Sequence, residues 1–186
     1  MSCKLTYDIG HTCEYNAGGI QEIYLLDIRD FVACQFKDDA LYDSFLVDRI
    51  LKEDTDYLML DNVKESVFTE TNENGIYKQQ LTTFVRSLDS LKTSGIMLAG
   101  MNKYLVVFRN TQGYVYAFGA DGGATLSFTQ ASGQVGEPSG YGITLSKNSI
   151  YPLFQVDEKK FNRVLALGDE DRNVLLTENE LFAILI

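Results

Sequence analysis

Ser66-Val67-Phe68-Thr69-Glu70-Thr71-Asn72-Glu73-Asn74-Gly75-Ile76-Tyr77-Lys78-Gln79-Gln80-Leu81-Thr82-Thr83-Phe84-Val85 holds two strand-forming runs joined by an Asn-Gly step. In the second run Ile76, Lys78, Gln80, Thr82 and Phe84 alternate with Tyr77, Gln79, Leu81, Thr83 and Val85, the period of two that a strand requires. Asn-Gly tolerates the positive φ angles of a tight hairpin, so the stretch predicts a β-hairpin. Helical spacing takes over at Leu88, Leu91 and Leu98, with Ser87 as the expected N-cap and Gly100 as the stop. A second hairpin is expected from Tyr104 to Arg109 and Tyr114 to Gly119 around Asn110-Thr111-Gln112-Gly113, because both arms are rich in Val, Tyr and Phe.

The reading outside this block is less regular. Ala17-Gly18-Gly19 lets the chain turn into a strand over Ile20 to Ile28, in which Ile23 and Leu25 fall on one face and Tyr24 and Leu26 on the other. Both faces are apolar, which places this strand between two layers, with Ala33 to Phe36 as its expected hairpin partner. Residues 37–61 carry Leu41, Phe45, Leu46 and Ile50 at an imperfect helical spacing among Asp38, Asp39, Asp43, Asp48, Glu53, Asp54 and Asp56, and read as an exposed excursion. Tyr57 to Leu60 would then return the chain to the sheet. Gly119 to Gly142 is glycine-rich with one strand candidate, Thr125 to Gln130. A further hairpin is expected from Tyr141 to Ser146 and Tyr151 to Val156 around Lys147-Asn148-Ser149.

These elements define an all-β dominated fold with one principal α-helix. The main domain is expected over 1–156, followed by a carboxyl-proximal extension over 157–186. In that extension Gly168-Asp169-Glu170-Asp171 forms an acidic turn, and Thr177 with Glu180 resembles a capping box ahead of Leu181-Phe182-Ala183-Ile184-Leu185-Ile186. This apolar run either packs on its own domain or acts as an arm that docks on a neighbouring subunit.

Composition sets limits on function. Of 186 residues, 45% are hydrophobic and 23% charged, the balance of a folded domain. Eleven Phe and eleven Tyr beside no Trp and two Pro suit a β-rich chain. The formal charge of -10 disfavours gripping nucleic acid by neutralising phosphates. Acidity either keeps the protein soluble or lines a passage through which DNA must move without sticking. Cys3, Cys13 and Cys34 cannot form a complete disulfide set, and the first ten residues do not read as a signal peptide, so a reducing compartment is expected. Cys3, His11 and Cys13 are the metal-ligand types present, but their spacing lacks the paired knuckles of a zinc site and no metal is expected. With His11 as the single histidine, a Cys-His hydrolase lacks support. The turn Gly119-Ala120-Asp121-Gly122-Gly123-Ala124 has neither the lysine of a phosphate-binding loop nor a dinucleotide fingerprint. The acidic pairs Asp38-Asp39 and Asp54-Asp56 lack the order of a calcium loop. No cofactor and no catalytic residue is expected, nor any apolar run long enough to span a bilayer.

Cys13-Glu14-Tyr15-Asn16-Ala17-Gly18-Gly19-Ile20-Gln21-Glu22-Ile23-Tyr24-Leu25-Leu26-Asp27 resembles the amino-terminal signature of structural proteins from tailed phages of Bacteroidetes-type hosts. The later order is similar to the layout of tail tube proteins in that group: Phe68-Thr69-Glu70-Thr71, Asn74-Gly75-Ile76-Tyr77, the Leu88 to Gly100 helix, the Tyr104 to Gly119 hairpin, and Gly140-Tyr141-Gly142-Ile143-Thr144-Leu145 before Pro152-Leu153. The resemblance covers most of 13–156. It implies a β-sandwich or half-barrel in a non-enzymatic virion component whose subunits join edge to edge into a ring, commonly hexameric, around a DNA channel, as tube, connector or ring protein. It implies self-association, contacts with other tail or head-tail connector proteins, DNA passing without sequence-specific binding, assembly in the host cytoplasm and residence in the virion tail, away from any membrane. Residues 37–61 correspond to the place where such proteins reach toward the next ring. Tyr57 and Met59 there, with Leu181, Phe182, Ile184, Leu185 and Ile186, are the candidate contacts between subunits. The alternative function is a β-sandwich module that binds carbohydrate or a host surface through exposed Tyr in the glycine-rich loops.

If 181–186 serves assembly, deleting Thr177 to Ile186 leaves a soluble monomer with a near-native melting temperature but impaired assembly. Calorimetry and size-exclusion chromatography read the two effects separately, and an unfolded deletion variant would make the segment part of the core.

Overall fold

The computed structural model describes residues 18–37, 45–53, 55–60, 65–135 and 138–161. Its centre is β7 (Lys103–Asn110), in which Tyr104, Leu105, Val106, Val107 and Phe108 are all buried although successive side chains point to opposite faces. A strand with no wet face must lie between two layers, and this one does. Along one edge β7 pairs antiparallel with β1 (Ile20–Asp27), which carries β4 (Leu58–Leu60) on its far side. Its other edge is divided. β8 (Val115–Phe118) takes Val106 to Arg109, and β9 (Ala124–Ala131) takes Lys103 and Tyr104.

From that division the sheet runs two ways. One branch continues from β8 to β11 (Phe154–Val156), β3 (Leu46–Lys52) and β2 (Phe31–Phe36); the other continues from β9 to β10 (Gly140–Ser149), β6 (Ile76–Arg86) and β5 (Val67–Glu73). Every ladder is antiparallel except that between β11 and β3. Two cores result. Ile23, Leu25, Val106, Phe108 and Phe118 pack against Leu81, Leu126, Tyr141, Ile143 and Leu145 from the second branch. On the reverse face Tyr24, Leu26, Leu105, Val107 and Ala117 pack against Val47, Tyr57, Phe154 and Val156. Each fully buried Val, Leu or Phe contributes roughly 1.5–3 kcal/mol, so β1 and β7 supply both cores at once.

The fold is all-β with a single helix, as expected, and both hairpins of the 66–119 block are present. In the first, Asn74 and Gly75 have φ of 54° and 82°, the paired left-handed conformation of a two-residue turn whose twist matches its strands. The helix α1 (Ser90–Ala99) is capped by Asp89 rather than Ser87: Asp89 Oδ1 accepts the Lys92 N–H at 2.8 Å, while Ser87 takes a φ of 74°. Its expected apolar face is also corrected. Only Ile96 is buried, and Leu91 and Leu98 are 84% and 61% exposed. The helix is held by Tyr141, whose hydroxyl lies 2.6 Å from Thr93 Oγ1 and donates to the Asp89 carbonyl at 3.2 Å.

Two other expectations are overturned, and residues 37–61 are in part internal to the sheet. β2 pairs with β3 and not with β1, because both edges of β1 are occupied by β7 and β4. In the described part of 37–61, β3 lies between β2 and β11 with Val47 fully buried, while Leu51, Leu58 and Met59 are exposed. Lys147-Asn148-Ser149 is no turn. β10 runs through it because Gln79, Lys78 and Tyr77 of β6 continue the ladder. The chain reverses later, at 150–153, where Pro152 lacks a ladder donor, and β11 joins β8 instead of β10. Beyond the expected boundary at 156, Phe161 packs on Tyr24 and Tyr57 and Lys160 Nζ reaches Asp48 at 2.6 Å, so the packed body continues to the last described residue.

Gly140 stands where a side chain has no room: a Cβ there would collide with the Val85 carbonyl and meet Phe84 Cε1 at 3.0 Å. Gly140→Ala is therefore expected to lower stability by roughly 1–3 kcal/mol through strain in the β10–β6 ladder. Chemical denaturation measures it, and an unchanged midpoint would refute this reading of the close approach.

Candidate functional site

The second branch forms a four-stranded layer whose inner face is the first core and whose outer face is open. Antiparallel register brings its outward residues into rows. Thr125, Ser146, Gln80 and Thr69 make one row across β9, β10, β6 and β5; Ser127, Thr144, Thr82 and Val67 make the next. Asn148, Lys78 and Thr71 lie on one side of these rows, and Thr129, Gly142 and Phe84 on the other. The two central rows hold hydroxyls, one amide and one Val, with no charged group. Charges appear at the ends of the face, where Lys78 pairs with Glu73 at 2.5 Å and Arg86 with Glu65 at 3.0 Å.

One position on the face has no room for a side chain. Gly142 faces Thr129, whose Oγ1 would be 2.8 Å from a Cβ at that position, so glycine is what keeps β9 and β10 in even contact there. Beneath it a buried polar network fixes the layer. Gln79 Nε2 donates to Glu70 Oε2 at 2.8 Å, and the same carboxylate oxygen accepts the Leu153 N–H at 2.7 Å. Ser66 Oγ donates to Thr83 Oγ1 at 2.6 Å, both residues buried. Such groups tie β5 and β6 to the segment entering β11, and losing one partner would leave others unsatisfied.

Both sides of the layer are open. β5 pairs only with β6 among the described strands, and β9 from Leu126 onward pairs only with β10. The β9 edge, Leu126-Ser127-Phe128-Thr129-Gln130-Ala131, contains no charge and no proline, the residues by which natural edges discourage pairing. Phe128 and, on β5, Val67 are exposed along these edges.

Of the expected contact residues, Tyr57 is 8% exposed and lies inside this subunit against Tyr24 and Phe161, with Lys52 Nζ 5.5 Å from its ring centre. Burial pushes its hydroxyl pKa well above the ordinary range. Met59 is exposed on β4, and the structure does not bring it together with the layer edges through any described pairing. Leu181, Phe182, Ile184, Leu185 and Ile186 lie outside the described residues, as do Cys3, His11 and Cys13. Among the described residues no helix is long and apolar enough to cross a membrane. The outer face itself was available in the sequence as alternation: Thr125-Leu126-Ser127-Phe128-Thr129 and Thr144-Leu145-Ser146 place a hydroxyl at every second position.

A second feature lies on the other branch, a hollow of about 290 Å³ walled by Phe31, Cys34, Phe36, Phe45, Tyr151 and Phe154. It offers apolar surface and one thiol, whose pKa burial pushes from 9.0 up to about 12. At neutral pH this thiol is protonated and a poor nucleophile.

No protein-family model matches the chain, and neither the curated proteins nor the solved structures contain a match to it.

In a background with Cys3 and Cys13 replaced by Ser, Cys34 is expected to resist alkylation in the native state at mildly alkaline pH and to react rapidly once unfolded. The raised pKa implies stability that is complete below about 9 and lost as pH rises toward 12. Rapid native-state alkylation would contradict the burial.

Proposed function

We propose that this chain is a non-enzymatic building block of a phage tail, a tube, connector or ring protein whose subunits close around a DNA channel. The observation that carries the reading is the four-stranded layer β9-β10-β6-β5, open at both edges and faced with uncharged hydroxyls. An edge that pairs with the unlike edge of an identical neighbour makes a heterologous contact, and such contacts generate rings when the rotation closes. Pairing β5 of one copy with β9 of the next would extend one sheet around the ring and satisfy both rows of unpaired backbone groups. Six such layers, at roughly 4.8 Å per strand, give a circumference of roughly 115 Å and a backbone diameter of roughly 37 Å, wide enough for duplex DNA.

The chemistry of the face supports its placement toward the channel. Repeated by symmetry, an unpaired lysine in the two central rows would become a ring of cations that releases counterions from DNA and holds it. Hydroxyls and amides exchange hydrogen bonds with water without that gain. The order of motifs resembling tail tube proteins supports the same reading, and virion residence with tail or connector partners follows from it.

Phe128→Glu on β9 and Val67→Glu on β5 each place a charge on an edge that would be paired. Both variants are expected to stay folded, as judged by circular dichroism, and to abolish the rings or tubes that the wild-type protein forms in negative-stain images. Wild-type protein that stays monomeric at high concentration, or variants that assemble normally, would overturn the edge-to-edge arrangement. Glycan binding by that monomer would favour the carbohydrate-binding alternative.

A further inference from the structure

At one end of the hydroxyl face Lys103, Thr125 and Ser146 stand side by side on β7, β9 and β10. The loop between β8 and β9 passes beside them closely enough that a Cβ on Gly123 would stand 2.6 Å from Lys103 Cβ, and Gly123 has a φ of 82°. This close approach leaves a hollow of about 250 Å³ lined by Lys103, Gly123, Thr125, Ser146, Lys147 and Asn148. Each side chain in that wall carries a hydrogen-bond donor.

The charges around it do not balance. Lys147 Nζ donates to the Asp121 carbonyl at 2.6 Å and lies 3.6 Å from Asp121 Oδ1, which fixes its position and leaves it a donor proton to spare. Lys103 makes no ion pair among the described residues. Two lysines thus line this concave polar site, one of them paired with Asp121 and the other with no ion pair among the described residues, on a chain whose net charge is -10.

We propose that this hollow binds a phosphoryl oxyanion. A lysine ammonium is a compact point charge that suits a tetrahedral phosphate, whereas a planar carboxylate is matched better by the fork of an arginine. Thr125, Ser146 and Asn148 supply neutral donors beside the two cations, and glycine at 123 keeps open the space that a side chain would narrow. The site is complete within one subunit and does not rest on ring formation. Inorganic phosphate and the phosphodiester of a nucleic acid share the required chemistry.

The test titrates the full chain with inorganic phosphate at constant ionic strength, with a short single-stranded oligonucleotide in a parallel arm. Backbone amide resonances of Gly122, Gly123 and Thr125 are followed by NMR. Saturable shifts confined to the hollow are expected, and Lys103→Gln should weaken the apparent affinity about tenfold. Lys78→Gln, on the same face outside the hollow, should leave it unchanged. Saturation by phosphate alone assigns the site to the free anion, and saturation by the oligonucleotide with the same Lys103 dependence assigns it to a phosphodiester; both support the proposal. Absence of saturable shifts in both arms, or undiminished affinity in Lys103→Gln, would overturn it.

Discussion

The burial of β7 on both faces is the constraint from which the rest of the structure follows. Leu105 and Val107 on one side and Val106 and Phe108 on the other leave no face for water, so two layers must be recruited to cover the strand. One edge of β7 is filled by β1, and the other is shared, Val106 to Arg109 with β8 and Lys103 and Tyr104 with β9. Sharing it between β8 and β9 sends the sheet in two directions, and each branch returns to cover one face. A polar substitution at Val106 or Val107 would therefore disturb a core and also the point where the two branches meet.

That division has a consequence for the surface. A strand that pairs with β7 at only two positions keeps the rest of that edge free, and β9 is that strand, its other edge being taken by β10. The open edge is not a defect at the end of an otherwise closed sheet. It results from the geometry that builds the two cores, and it leaves the second branch as a layer with two unpaired sides and one solvent face. Exposed uncharged edges are associated with strand pairing between chains, so the fold itself concentrates association potential in this layer.

Local chemistry made half of this legible from sequence. The Asn74-Gly75 turn, the β7–β8 hairpin and the two-faced character of β1 rest on φ preferences and alternation within a few residues, and they are where the sequence places them. The pairings of β2, β3 and β11 depend on which edge is vacant far along the chain. Phe31 and Phe45 do not carry that information in their neighbours. The helix misled for a related reason: Leu91 and Leu98 have the composition of a buried face, but Ile96 is the one helix residue that is buried, with Ala99 packed partly against the same core. The hydroxyl alternation of β9 and β10 was visible, yet its meaning required the register that joins Ser127, Thr144 and Thr82 into one surface.

The net charge gains a spatial sense from that surface. Several described carboxylates away from the central rows sit beside a cation, as Asp27 does with Arg29, Glu22 with Arg109 and Asp48 with Lys160. Arg29 and Lys160 hold the Asp27 and Asp48 carboxyls below their usual range. The central rows contain neither sign. An acidic wall repels a polyanion and a basic wall binds it, and in both cases the energy depends on salt and multiplies with every symmetry copy. A neutral hydroxyl surface is nearly indifferent to ionic strength, whatever the number of subunits. With acidity outside those rows and neutrality across them, the chain separates solubility from contact, and Lys103, without an ion pair among the described residues, stands at the end of the face where Lys147 and the glycine loop meet it.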